Sequence, residues 1–398
     1  MRISTDILIS GGGVAGLTAA AAFGTAGFKV LCVDPTPPVT AEAEDGADLR
    51  TTAFLQPAVD VLTQAGLWAR LAPFAEPLHT MRIIDAGGVD PEPRVIKNFN
   101  ASDISDLPFG WNLPNWLLRR EMVARLADLP NVTLRLDVAT AQLITRQDEA
   151  LVRLSDGTRV SARLLIAADG RASVMRQALG IAVKTTRYGQ KALTFAVTHP
   201  VPHDNVSTEI HRSGGPFTLV PLPDRDGLPC SAVVWMDSGS QTVRRAALPQ
   251  AEFEAEMSAR SCHIMGPLSL ASRRTVWPII SQIAARMSGE CTALMAEAAH
   301  VMPPIGAQGL NTSMADLAAL LALAQANPAG LGNVAMLDAY HRQRHLDVQT
   351  RMTGIDALNR ASMMGGQGLR DLRAGALNAL YALTPLRKAV MRAGLGVR

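Results

Sequence analysis

At 398 residues, with 48% apolar side chains, 4% aromatic ones and a net charge of +3, the chain is long enough for two cores and too diffusely charged for a nucleic-acid binder. Its four cysteines, Cys32, Cys230, Cys262 and Cys291, stand far apart without a CxxC pair, which argues against a zinc site or a disulfide framework and leaves a reducing cytoplasm as the default. The best candidate for the roughly 18 apolar residues of a membrane span starts at Leu317 and is broken by Gln325, Asn327 and Pro328, and the first ten residues read as a strand, not a signal peptide.

The stretch DILISGGGVAGLTAAAAFGTAGFKVLCVDP reads as strand, glycine turn, helix and second strand. Ile7, Leu8 and Ile9 form the buried strand, Leu17 to Ala26 the helix, Gly27 its stop, and Lys29 to Val33 the next strand. QPAVDVLTQAGLWARL, residues 56–71, reads as one helix, and LHTMRIIDAGG, residues 78–88, as a strand ending in a glycine turn. From Asn115 the residues Leu118, Met122, Leu126 and Leu129 recur at helical intervals until Pro130. Short strands follow in VTLRL, AQLITRQ, LVRLSDGTRV and RLLIAADG, with Asp156 to Thr158 as a hairpin turn. Beyond Gly180 the texture becomes strand-rich through KALTFAVTH, STEIHRS, FTLVPLP and SAVVWM, which predicts an antiparallel sheet inserted into the first domain. The α/β texture resumes near CTALMAEAAH, and from about Met336 the pattern is almost entirely helical.

Three pieces carry chemistry. Gly11, Gly13 and Gly16, with Val14 and Ala15 between them, make a GxGxxG turn joining a strand to a helix, and Asp34 closes the second strand. The first glycine permits the tight turn, the second lets a pyrophosphate approach the backbone, and the third lets helix and strand pack closely. The phosphates would sit on the helix N-terminus and Asp34 on the adenosine ribose. A lone GxGxxG also serves as a plain structural turn; the complete strand, turn, helix and acid point to a dinucleotide. The second piece, LLIAADGRASVMRQALG, places Asp169 and Gly170 after an apolar strand and Ser173 and Arg176 on a new helix, where capping and ligand binding are equally compatible with the residues. The third, ALMAEAAHVMPPIGAQGLN, puts the carboxylate of Glu297 before His300, Pro303, Pro304 and a glycine turn through Gly306, Gln308 and Gly309 to Asn311.

In this order and at these distances the pieces resemble the group A flavoprotein monooxygenases of the p-hydroxybenzoate hydroxylase fold, and most nearly their ubiquinone-biosynthesis hydroxylase branch. The resemblance extends to DLRTTAF at 48–54, GGPFTLVPLP at 214–223, AVVW at 232–235 and TPLRKAVMRAGLG near the C-terminus. It implies an α/β fold: a discontinuous Rossmann-type FAD-binding domain (1–75, 103–180 and 272–345), an inserted antiparallel β-sheet substrate domain (76–102 and 181–271) and a helical C-terminal segment (346–398). It implies FAD as cofactor, NAD(P)H as electron donor, and transfer of one oxygen atom of O2 to an aromatic ring in ubiquinone biosynthesis. Asp169, Gly170, Ser173 and Arg176 would contact FAD. Glu297 would accept a hydrogen bond from the ribityl chain, and the N–H groups of Gly309, Leu310 and Asn311 would face the pyrimidine edge of the flavin. Arg50 would reach over the cofactor, and Arg119 would contact ribityl or phosphate or, alternatively, be a solvated helix arginine. Pro303 and Pro304 border ring and substrate, a proline carbonyl polarising a phenol. Two features depart from the family pattern: Ala296-Glu297 replaces Gly-Asp, and the glycine turn reads GAQG.

Tyr188 faces either the substrate or the interior of a half-buried strand. His211, His263, His341 and His345 lack metal-site spacing, and no G-x-S-x-G elbow is present. From Arg360 onward Arg370, Arg373, Arg387, Lys388, Arg392 and Arg398 oppose a single acid, Asp371. Such a segment either lies on an anionic inner membrane face or against a partner complex, or packs as an ordinary helix with a solvated side. Other readings are a flavin enzyme acting on a different aromatic or an isoprenoid, and a non-catalytic assembly factor of a quinone-biosynthesis complex.

Overall fold

The computed structural model describes residues 1–88, 92–363 and 365–396. Five parallel strands form the spine of the first sheet, in the order Thr292–Leu294, Arg159–Ala167, Arg2–Ser10, Val30–Asp34 and Val132–Leu136. Ile7 pairs with Val30 on one side and Leu164 on the other, and Ile7, Leu8 and Ile9 are wholly buried. A strand covered on both faces needs a continuous apolar run, which is what this segment supplies. The antiparallel hairpin strands Thr140–Thr145 and Ala150–Leu154 extend the sheet beside Arg159–Ala167.

The helix after the glycine turn runs Val14–Thr25, three residues earlier than its apolar pattern alone predicts. It is lined with alanine because it is enclosed: Ala19, Ala20, Ala21 and Ala22 are buried between the sheet and the helices Asn115–Ala127 and Gln308–Ala326. The stretch 56–71 is not one helix. Gly66, at φ +69, closes Gln56–Gln64 with bonds from its own N–H to Thr63 O (2.9 Å) and from Leu67 N–H to Leu62 O (2.8 Å), and the chain restarts at Trp68–Leu71.

The second sheet has nine strands, with Val183–Thr198, Leu228–Ser238, Pro216–Arg225 and Val206–His211 forming an antiparallel run. Thr80–Asp85 joins it parallel to Val206–His211, followed by Val95–Asn100. Thr275–Ala284 pairs with Val183–Thr198, so the sheet continues past the division expected at 271/272. Nothing in the local pattern of TVWPIISQIA states which sheet will take it; the pairing partner lies almost a hundred residues away.

The C-terminal region forms helices Val334–Met363, Gln367–Ala382 and Thr384–Leu395; Arg398 lies outside the described residues. Much of its positive charge is turned inward. Arg373 Nε donates to Asp85 Oδ2 at 2.7 Å, Arg94 bridges Asp85 and Asp371, and Arg387 stacks 4.7 Å from the Tyr381 ring centre. Leu369, Leu372, Leu383, Leu386 and Val390 point outward instead, Leu372 being 66% exposed. No helix among the described residues is long and apolar enough to cross a membrane.

Candidate flavin site

The glycine turn and the Asp169 segment meet. Gly11, at φ +108, lies so close to the end of Arg159–Ala167 that a Cβ on it would stand 2.4 Å from Ala168 O, and a Cβ on Gly16 would stand 1.9 Å from Gly11 O. Gly13 is different: it faces open space, with nothing within 4 Å of an added Cβ. It also heads the Val14–Thr25 helix without a side-chain cap, so the first-turn N–H groups of Val14, Ala15 and Gly16 remain available to an anion. Asp34 closes the other side, its Oδ2 accepting from Gly12 N–H at 2.6 Å and its Oδ1 from Thr36 N–H at 2.8 Å.

Two buried atoms of motif residues have no partner among the described residues, Asp169 Oδ1 beside Gly11 and Arg119 Nε near Asp48. The other Asp169 oxygen accepts from Met175 N–H at 3.2 Å. Leaving such atoms buried and unpaired costs about 1–3 kcal/mol each, so an unpaired acceptor and an unpaired donor fit a polar ligand carrying both functions. FAD, with its phosphates and ribityl hydroxyls, meets that requirement, and the open Gly13 leaves its pyrophosphate room.

Several expected contacts are occupied by the protein itself. Ser173 is the N-cap of Val174–Ala178, accepting from Arg176 N–H at 3.0 Å. The buried Arg176 guanidinium donates to Ala298 O at 2.8 Å and Arg171 O at 2.9 Å, joining the second motif to the third. The Asn311 amide accepts from Leu55 N–H (2.8 Å) and donates to Ala53 O (2.7 Å), fastening the turn to Thr51–Leu55. Because Gln308–Ala326 starts at Gln308 without a side-chain cap, the first-turn N–H groups left free are those of Gln308, Gly309 and Leu310; that of Asn311 falls within the helical ladder.

Arg50 does not stand free over the turn. It forms a paired contact with Asp48, Nε to Oδ1 at 2.8 Å and Nη2 to Oδ2 at 2.7 Å, and lies 4.1 Å from the Trp277 ring centre. Asp48 also accepts from Asn115 Nδ2 at 3.0 Å, and Arg119 Nη2 stands 3.7 Å away. Burial alone would raise the Asp48 pKa, but the bonds and charge of Arg50, with Asn115 and Arg119, outweigh it and hold the carboxyl below its ordinary range. Asp48 and Trp277 are absent from the residues singled out by motif: Asp48 sits within DLRTTAF, and only the fold brings Trp277 to it.

In the third motif Glu297 is exposed between buried neighbours, Ala296 and Ala298. Ala296 adopts φ +54 and Ala307 φ +55, so both departures from the glycine pattern put a methyl-bearing residue in left-handed backbone. Behind the turn His300 Nε2 lies 2.6 Å from Asp316 Oδ2, and Arg344 Nε donates to Asp316 Oδ1 at 2.8 Å, all deeply buried. Gln308 Nε2 donates to Gly306 O and to Gly394 O, each at 2.9 Å, which ties the last helix to this turn.

The Pro303 carbonyl accepts from Ile305 N–H at 2.8 Å, while Pro304 is exposed. Ile305 and Met302 join Ala192, Met236, Ile279 and Ile355 in an apolar cluster between the turn and the second sheet. Tyr188 packs against it, but its hydroxyl is shared between Ser281 Oγ and Asp356 Oδ1, both at 2.6 Å. Burial, with the Asp356 carboxylate, keeps that phenol above its ordinary pKa and therefore protonated at neutral pH. On the far side a cavity of about 250 Å³ is lined by Arg171, Thr185, Arg187, Pro278, Ile280 and Gln282.

Residues 4–354 match the family described as FAD binding domain. The chain is 31% identical to ubiquinone hydroxylase UbiL of Rhodospirillum rubrum, over 98% of this chain and 89% of that protein. It is 25% identical to the 3-demethoxyubiquinol 3-hydroxylase of Escherichia coli over 99% of both. Among solved structures, p-nitrophenol 4-monooxygenase PnpA of Pseudomonas putida superposes with a TM-score of 0.79 at 17% identity, covering 100% of this chain and 99% of that one. PqsL of Pseudomonas aeruginosa gives 0.76 at 22%, covering 94% and 100%.

Proposed function

The chain belongs to the FAD-binding aromatic monooxygenases related to the ubiquinone hydroxylases, and on that premise we propose that it hydroxylates the ring of a prenylated phenolic precursor in ubiquinone biosynthesis, with NAD(P)H as reductant. It is an FAD-dependent monooxygenase acting on an aromatic substrate. The observation that carries the finer reading is the apolar cluster of Met236, Ile279, Met302, Ile305 and Ile355, set against the turn whose N–H groups await the flavin.

FAD, when bound, supplies the oxygen activation. The N–H groups of Val14, Ala15 and Gly16 hold its pyrophosphate, and Asp169 and Arg119 take its hydrogen-bonding groups. Gly309 and Leu310, at the positive end of a 19-residue helix, favour negative charge beside them. The side chains of the cluster exclude water and orient the ring, and no nucleophile or metal is asked of the protein. Among the described residues neither Arg171 nor Arg187 has an ion-pair partner, so the cavity between them suits the phosphates of NAD(P)H. The outward leucines of Gln367–Ala382 and Thr384–Leu395, with Lys388 and Arg392 beside them and no unpaired acid, suit the surface of an anionic membrane, where a prenylated substrate resides.

The test is spectral first: purified protein should be yellow and release FAD. Adding a prenylated phenol should then accelerate NAD(P)H-dependent O2 uptake and yield a product heavier by one oxygen atom, labelled from 18O2. A flavin-loaded protein whose O2 uptake ignores every phenol would defeat the reading.

A further inference from the structure

A buried polar contact that no motif announced lies between the helix Val334–Met363 and the strand Val183–Thr198. Ile355, Asn359 and Ser362 fall on one face of Val334–Met363, and all three are buried, Asn359 completely. Asn359 Nδ2 donates to Gln190 Oε1 at 2.9 Å, and Gln190 Nε2 donates to Gly214 O at 2.7 Å. The polarity of this relay is fixed from its far end. A backbone carbonyl only accepts, so Gln190 must present its nitrogen to Gly214 and its oxygen to Asn359. Asn359 must in turn present its nitrogen, which leaves Oδ1 turned the other way, and that oxygen is buried without any donor.

The surroundings say what kind of donor is missing. Gln190 lies on the same strand face as Ala192, and its Nε2 and Met236 Cβ flank Gly215, within 3.0 and 2.8 Å of where a Cβ would be. Ala192, Met236 and Ile355 belong to the apolar cluster that also contains Ile305 of the flavin turn. Met236 and Met302, the most pliable side chains there, are the ones able to move for an incoming ring. We propose that Asn359 is a substrate-binding residue whose Oδ1 accepts the hydrogen bond of a phenolic hydroxyl on the aromatic substrate. This rests on the aromatic-hydroxylase reading above and adds to it a contact from the helix Val334–Met363.

Binding of 2-prenylphenol and of its methyl ether, 2-prenylanisole, to the FAD-loaded protein should be titrated through the flavin absorption spectrum. The two probes differ in the hydroxyl donor that Asn359 would receive. The wild type is expected to favour the phenol by about tenfold, and Asn359→Leu to bind both alike, with Asn359→Ala as the smaller replacement should the leucine variant not retain FAD. Variants that weaken both probes equally, preserving the ratio, would assign Asn359 a purely structural part and overturn the proposal. So would a wild type that binds both probes without preference, although the hydroxylase reading would then stand. If neither probe perturbs the wild-type flavin, the prenylated-phenol reading and this inference fall together.

Discussion

Replacing Gly13 and Gly16 by alanine, one at a time, separates the fold from the cofactor. Gly16→Ala puts a methyl 1.9 Å from the Gly11 carbonyl oxygen and 3.0 Å from its carbon, about 1.5 Å short of contact distance for the first. Both are backbone atoms of the turn, so the helix must lift from the sheet, at an expected cost above about 4 kcal/mol, a large part of a typical 5–15 kcal/mol total. Gly13→Ala meets nothing within 4 Å, and Gly13 already sits at φ −71, ψ 176, where alanine is unstrained. Its stability should stay level or rise by about 0.4–1 kcal/mol, because alanine narrows the unfolded ensemble. The new methyl instead occupies the approach of the pyrophosphate, and overpacking of about 1–3 kcal/mol predicts FAD affinity lower by roughly 5- to 150-fold. Thermal unfolding of the apoprotein and FAD titration by fluorescence quenching read the two effects separately. A Gly13→Ala protein that melts as early as Gly16→Ala, or that binds FAD like the wild type, would refute the assignment of Gly13 to the phosphates.

Ala307→Gly should stabilise the apoprotein by about 0.5 kcal/mol, the relief of left-handed alanine slightly exceeding the added entropy of glycine, as measured by urea unfolding. Glu297→Asp should retain flavin at least as well as the wild type while Glu297→Ala loses it; equal flavin content in all three purified proteins would remove Glu297 from the site. Asp316→Asn breaks a buried contact with both His300 and Arg344 and should cost about 3–5 kcal/mol in the same unfolding assay. Because the Asp48 pKa is depressed on folding, its stabilisation is complete above the unfolded value near pH ~4 and fades as pH falls through the lower folded value. Asp48→Asn should therefore flatten the acid limb of the stability curve. Leu372→Glu with Val390→Glu should abolish co-sedimentation with phosphatidylglycerol vesicles, and unchanged sedimentation would take the outer leucines out of membrane binding.

The parallel spine is legible because its central strands carry the apolar runs 7–9, 30–33 and 164–167, and because Gly11 and Gly16 have a steric duty in the turn. Asp169 and Arg119 stand out by motif, and the structure leaves each with an unpaired buried atom. What could not be read is what depends on partners far along the chain. Ser173, Arg176 and Asn311 belong to recognisable motifs, yet their side chains hold backbone segments together, and only the fold distinguishes a clamp from a ligand. Asp48 gave no signal of being the hub of Arg50, Asn115 and Arg119, since its contacts span up to 71 positions. The basic tail is read only in part for a related reason: composition counts its arginines but does not tell that Arg373 is spent on Asp85.

The bond from Gln308 to Gly394 O sets an order of events during synthesis. The strands of the flavin domain leave the ribosome in three instalments, near residues 2–34, 132–167 and 292–294, and the turn that receives the ring, tied to Thr51–Leu55 by Asn311, gains a further tie once Gly394 has emerged. A nascent chain can therefore gather its phosphate cradle early, while the flavin turn gains its tie to the helix Thr384–Leu395 later. Chains halted before Thr384–Leu395 should hold FAD less tightly than the full chain.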